Sequence, residues 1–321
     1  MIRTPLCDLL GIEHPILLAG MGGISYAEVT AAVSEAGGLG CLGAAAMRRR
    51  EMIQEIEEVK RRTARPFGVD LLTASPRDMP SLVEAICAAG AKIFVAGLGV
   101  PANVVELCHR NGVLVVNMCG KVSHAVRAVE AGCDIVVAQG TEAGGHTGQV
   151  ATMPLVPMIV DAVKVPVLAA GGIFDGRGLV AALALGAQGI WMGTRFVASK
   201  EARAHRAYKD KIVAIDETET VVTRCYSGKT MRAIRTRYTD EWEGRRDELQ
   251  PFPQQSARAT EDGVWHVLAG PEAGFDPERD CMPAGQCAGG IHDLPSCREI
   301  VEGIVAQAEG ILARLPRPAP A

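Results

Sequence analysis

Residues 142–149 read EAGGHTGQ and directly follow an apolar run, CDIVVAQG. A histidine among glycines contributes little as packing. An imidazole, however, titrates near neutral pH and can take or give a proton. His146 is therefore the first candidate for chemistry, and Glu142 either orients it or caps its loop. The other six histidines read as structural: His14 precedes Pro15 at a strand start, His109 and His124 fall on helices, and His205 opens one. His266 and His292 lack a comparable setting.

Three further stretches are nearly bare backbone: AGMGG (19–23), AAGG (169–172) and MGT (192–194). Glycine lets a ligand approach main-chain N–H groups that a Cβ would block. The stretch GLGCLG (38–43) formally matches a dinucleotide fingerprint, with Glu58 twenty residues on. That motif needs a strand before it and a helix opening on its last glycine. Here a helix precedes it and the glycines lie within the strand, so the match is set aside.

Composition bounds the rest. The 321 residues are 48% hydrophobic and 22% charged, with net charge −4. Such a chain buries a sizeable core and offers no basic field for nucleic acid or an anionic membrane. No apolar run approaches the ~20 residues of a membrane span. The N-terminus, MIRTPLCDLLGIEHP, lacks the apolar core of a signal peptide. The ten cysteines form no C-x-x-C pair, which argues against a zinc knuckle or redox motif, so no metal is expected. A reducing cytoplasm fits them best.

The elements that position these residues follow a recurring pattern. AVSEAGGLGCLGA, AICAAGAKIFVAG, AVEAGCDIVVAQG and ALALGAQGIWMG each join a helical segment, a glycine and an apolar β-branched run. The glycines at 37, 90, 132 and 186 sit where a left-handed residue closes a helix. Eight strand candidates result: 14–20, 38–44, 66–72, 91–97, 113–119, 133–140, 165–172 and 187–193. Their lack of alternation suits strands covered on both faces. Eight alternating units favour a TIM (β/α)8 barrel, with an open doubly wound sheet as the other arrangement. In a barrel His146 stands on a glycine loop at the mouth. AAGG and MGT then close the seventh and eighth strands, where barrels place phosphate groups. The expected division is a barrel from 1–199 and 283–316, a smaller, mainly helical cap at 200–282, and a disordered tail at 317–321. A Pro-Ser cap signal at 295–296 opens the last helix.

GTEAGGHTG, PVLAAGGIFDGRG, ALGAQGIWMGTRFVASKEA and AGQCAGGIHDLPS resemble the nitronate monooxygenase (2-nitropropane dioxygenase-like) family. That family includes flavin-type enoyl-acyl-carrier-protein reductases and NAD(P)H:quinone reductases. The resemblance extends to GIEHPILLAGMGG and RPFGVDLL and implies a TIM barrel binding FMN. It implies that Gly20, Met21 and Gly22 border the flavin, while Gly171, Gly172, Gly193 and Thr194 hold its phosphate. Asp70, Met118, Gly145 and Ala170 complete the implied cofactor contacts, and His146 is the implied catalytic acid/base. Asp70 stands where the family usually has asparagine, and Met118 where some members carry lysine. HRAYKDKI and MRAIRTRYTDEWE resemble the reductase branch, whereas DLPSCREI resembles members acting on CoA thioesters.

The expectation is thus an FMN-dependent oxidoreductase acting on a small molecule, first an alkyl nitronate oxidised with O2 to a carbonyl compound and nitrite. The alternative is an NAD(P)H-dependent reductase of an enoyl thioester (ACP or CoA) or a quinone. A homodimer is compatible with either. A flavin-free phosphate-site lyase would need a Schiff-base lysine or paired carboxylates at strand ends. Only Lys121, just past the fifth strand, approaches that. A passive flavin carrier would have no need of His146.

Overall fold

Each of the eight apolar runs forms a parallel strand. In chain order these are β1 (Ile16–Leu18), β2 (Gly40–Gly43), β3 (Phe67–Leu72), β4 (Ile93–Gly97), β5 (Leu114–Cys119) and β6 (Ile135–Gln139). A two-residue β7 (Gly145–His146) interrupts the series before β8 (Val167–Ala170) and β9 (Gly189–Met192). The structure is a computed structural model that describes residues 2–73, 78–97, 99–270 and 274–316; the tail expected at 317–321 lies outside them.

The parallel order is β1-β9-β8-β6-β5-β4-β3-β2, and a parallel bridge between Leu17 and Leu39 joins the two ends. Leu18 N–H donates to the Leu39 carbonyl and Leu39 N–H to the Ile16 carbonyl. The sheet is therefore a barrel, and the open alternative is excluded. Its interior is packed by Leu17, Leu39, Ile93, Val95, Val116, Val137 and Leu168. The helix Pro5–Leu10 adds Leu6, Cys7 and Leu10 to the same cluster and plugs one end. A second cluster lies between strands and outer helices, so most strand residues are buried on both faces. That double burial is why the runs lack alternation.

Gly37, Gly90, Gly132 and Gly186 all have φ between 83° and 98°, the left-handed conformation that ends a helix and reverses the chain. The glycines of GLGCLG serve close packing instead. A Cβ at Gly40 would overlap the Thr30 carbonyl of helix Ala27–Glu35, and one at Gly43 would overlap the Met21 backbone.

Beyond β9 the chain builds a second core of Tyr208, Tyr226, Tyr238 and Trp242. It contains helices Arg206–Ala214, Arg237–Glu243 and Gln254–Glu261. It also contains a hairpin that the sequence did not suggest, β10 (Thr220–Thr223) and β11 (Met231–Ile234). β11 pairs antiparallel with β7, making a three-stranded sheet in which Met231 faces His146 in register. The buried Arg232 ties this sheet together, donating to the Thr141 carbonyl (2.9 Å) and to Thr220 Oγ1 (3.2 Å). The closing helix Cys297–Arg314 starts in a capping box between Ser296 and Glu299. It packs so closely on helix Gly176–Ala184 that a Cβ at Gly176 would meet the Ile304 carbonyl and Ala308 N at 2.6 Å. Among the described residues no helix is long and apolar enough to cross a membrane.

Candidate active site

The C-terminal ends of the barrel strands and the inner face of the cap enclose a cavity of about 940 Å³. All twelve residues singled out from the sequence line it: Gly20, Met21, Gly22, Asp70, Met118, Gly145, His146, Ala170, Gly171, Gly172, Gly193 and Thr194. They arrive on β3, β5, β7, β8 and the turns after β1, β8 and β9. This is the face where barrels do their chemistry.

The β8 and β9 turns form a ledge of exposed backbone. Gly171 (φ 100°) and Gly172 (φ 75°) are left-handed. Among the described residues the N–H groups of Gly172, Gly193 and Thr194 meet no acceptor. A Cβ at Gly193 would press on Met21 Sδ at 3.3 Å and touch Ala19 Cβ at 3.7 Å, so glycine keeps this backbone clear at the cavity wall. Unsatisfied backbone donors beside open space make a fitting cradle for a phosphate. Thr194 Oγ1 accepts from Gly285 N–H (2.9 Å), fixing the cap-side loop to this ledge.

His146 is held more firmly than a loop residue would be. It lies in β7, and its carbonyl accepts from Gln139 Nε2 (2.7 Å). Its Nε2 is 2.9 Å from Ser227 Oγ, whose own proton goes to the Lys229 carbonyl (3.2 Å). With that assignment Nε2–H donates to Ser227 and Nδ1 is left as the basic nitrogen. Burial, helped by the nearby Lys229 charge, pushes its pKa down to about 4. The ring is therefore neutral in the physiological range. Glu142 does not orient it: its carboxylate accepts from Thr152 N (2.9 Å) and Thr152 Oγ1 (2.9 Å), capping helix Thr152–Ala162.

On the barrel side Asp70 is 9% exposed and faces the same cavity. Burial raises its pKa to about 8. Met118 packs partly against the barrel interior, and the Ala170 carbonyl accepts from Gly140 N–H (2.9 Å). Sequence reasoning missed Ser227 and Lys229, both on the connection between the cap strands. The available signal was SGK (227–229), a glycine turn between two β-prone runs. It also missed His124 and Arg127, which line the cavity from helix Val122–Glu130. Among the described residues no group of three or more His, Cys, Asp or Glu could hold a metal ion, and all ten cysteines are free and buried.

Fold and site together define a (β/α)8-barrel enzyme with a ledge of bare backbone and a neutral histidine in one cavity. A family model described as nitronate monooxygenase matches residues 3–307, and the chain belongs to that family. It is 35% identical to a Mycobacterium tuberculosis (strain ATCC 25618 / H37Rv) protein named (3aS,4S,5R,7aS)-5-hydroxy-7a-methyl-1-oxo-octahydro-1H-indene-4-carboxyl-CoA dehydrogenase, over 96% of each chain. Its structure is similar to FabK from Thermotoga maritima, with TM-score 0.90, 37% identity, and 98% of this chain and 99% of that one covered. It is also similar to a nitroalkane oxidase from Streptomyces ansochromogenes, with TM-score 0.81, 28% identity, and coverage of 96% and 99%. The relatives' names are those of oxidoreductases, and this chain is an enzyme of the same family.

Proposed function

We propose that this enzyme is an FMN-dependent oxidoreductase whose substrate exchanges a proton with His146. The observation that carries the reading is the pairing, across one cavity, of open backbone donors at Gly172, Gly193 and Thr194 with a neutral, fixed imidazole. The ledge would hold the FMN phosphate, with Gly20, Met21, Gly22, Asp70, Met118, Gly145, Ala170 and Gly171 around the rest of the cofactor. When bound, FMN supplies the redox step, exchanging electrons with the substrate. His146, neutral and with Nδ1 free, takes a proton from an acidic C–H or, once protonated, returns one. Gln139 and β11 hold its backbone while Ser227 holds its ring. Burial keeps the imidazole neutral with Lys229 adding to it, and the Lys229 charge would offset negative charge developing on the substrate.

Two substrate classes fit. An alkyl nitronate, formed as His146 takes the α-proton of the nitroalkane and then oxidised with O2, agrees with the family's name and with the nitroalkane oxidase likeness. An acyl or enoyl thioester is favoured by the cavity itself. At about 940 Å³ it is near the top of the ~300–1,000 Å³ range of small-molecule sites. Its lining also takes in Gly97, Val100, Gly120, His124 and Arg127. The Arg127 charge suits a phosphate-bearing CoA or acyl-carrier tail, and the M. tuberculosis relative is named for a CoA ester. NAD(P)H would then serve as co-substrate, and a quinone acceptor is the remaining variant. The test is anaerobic: the flavin-loaded protein is mixed with ethylnitronate, NADH or NADPH, and bleaching of the flavin is followed. Bleaching by ethylnitronate selects the nitronate reading. Bleaching by a nicotinamide, followed by reoxidation with an enoyl thioester, selects the other. No bleaching by any of them contradicts both.

A further inference from the structure

Asp70 is the one acidic side chain lining the cavity among the described residues, and the proton transfer above does not use it. It lies on β3, paired in register with Gly43 of β2 and Val95 of β4. It leans against bare backbone, since a Cβ at Gly20 would overlap it. Among the described residues its carboxyl group has no hydrogen-bond or ion-pair partner. A buried carboxylate without a donor or cation takes up a proton instead of staying ionised. The open side of the group is the cavity, so the acid O–H so formed faces a bound ligand. A donor in that position is complete only when a ligand supplies the acceptor.

Few other groups bear on it. From β2 the Cys41 thiol is near enough for Asp70 to raise its pKa. The Ala19–Gly22 turn, Val95 and Asn117 add no titratable group. Across the cavity stand His124, Arg127, His146, Tyr208, Lys229 and Cys287. Burial holds His146 at about 4 and Cys287 at about 11, lowers His124 and raises Tyr208, so these lie away from the range where Asp70 changes charge.

We propose that Asp70 enters the loaded enzyme as the neutral acid and donates its O–H to an acceptor on the bound flavin ring, so that FMN binding is linked to one proton at this side chain. The proposal rests on the FMN reading of the cavity. The sign follows from linkage. Burial places the folded-state value near 8, well above that of an exposed aspartate, and a ligand that binds the protonated form raises it further. Affinity is then full below about pH 8 and is lost as the pH rises through it.

The experiment measures FMN and riboflavin dissociation constants by flavin fluorescence between pH 7 and pH 9, for the wild-type apoprotein and for Asp70→Asn. The amide keeps an N–H donor and cannot ionise. Wild-type affinity should fall about tenfold over that interval, from 1:10 to 10:1 ionised, while Asp70→Asn stays flat. Both proteins see the same FMN phosphate, and riboflavin has none, so phosphate titration cannot produce the difference. Equal pH profiles for the two proteins overturn the proposal. So does a flat wild-type riboflavin profile, which decides the matter even if the variant fails to fold. Wild-type protein that binds no FMN at any pH overturns the flavin reading, and this proposal with it.

Discussion

The barrel side and the cap side of the cavity each present a titratable group that burial keeps neutral, but they hold it differently. On the barrel side Asp70 stands on β3 with no partner for its carboxyl group. On the cap side His146 is fixed at three points: register with Met231, Gln139 on its carbonyl, and Ser227 on its ring. A group with no protein partner is available to a ligand that stays. A group whose ring is oriented by neighbours is suited to a proton that comes and goes. The comparison separates binding from chemistry, and substitutions on the two sides should affect different quantities.

The largest effect is expected on the cap side. His146→Ala should lower turnover by ~10²–10⁴, the usual worth of a positioned proton carrier, while flavin content stays near that of the wild type. With a nitroalkane substrate, the preformed nitronate should lose less, because its proton has already gone. If flavin content and stability fall together while per-flavin turnover is unchanged, His146 is structural and the comparison breaks.

Gly172→Val tests the ledge. Its left-handed φ of 75° strains any branched residue, and the side chain would press on Glu142, so the ledge would have to shift. A ledge that relaxes to relieve this strain must be restored on binding, and a few kcal/mol for that weakens FMN binding about a hundredfold, at ~1.4 kcal/mol per tenfold. Wild-type affinity in this variant would move the phosphate elsewhere.

The pH dependence sharpens the account of His146. As a base it works when neutral, and its pKa of about 4 keeps it neutral above that value. The acid limb of kcat/KM should therefore fall near pH 4, not near the 6.5 of a free imidazole. Lys229→Met removes a charge that lowers this pKa, so the limb should move to higher pH. An unmoved limb would assign it to another group. Stability carries the same sign. The unfolded histidine binds a proton from 6.5 downward while the folded one does not, so folding weakens as pH falls from about 6.5 to 4.

The smallest effect is structural. Arg232→Met keeps much of the stem but leaves the Thr141 carbonyl unpaired. A loss of about 1–3 kcal/mol in unfolding free energy, read from urea denaturation, is expected. No loss would mean that β11 and the β7 loop hold together without it.

The two sides were unequally legible in the sequence. The eight strands could be read because buried parallel strands are continuous apolar runs, and left-handed glycines such as Gly132 and Gly186 mark the helix ends before them. The ledge and His146 could be read because glycines and an isolated imidazole are conspicuous against that pattern. The hairpin that fixes His146 could not. β10 and β11 have four residues each, and β11 includes a buried arginine that reads as surface. Its pairing with β7 also joins positions more than eighty residues apart. Glu142 was ambiguous for a related reason: its partner, Thr152, is ten residues on and becomes a neighbour only once the loop has folded.

The most direct test of the central claim is an equilibrium titration of the purified apoprotein with FMN, followed by identification of the retained cofactor. Saturation is expected at one FMN per chain, with FMN as the cofactor released on denaturation. Saturation should also be weakened in Gly172→Val and preserved in His146→Ala. Protein that neither retains nor rebinds FMN, or that releases FAD in its place, would contradict it.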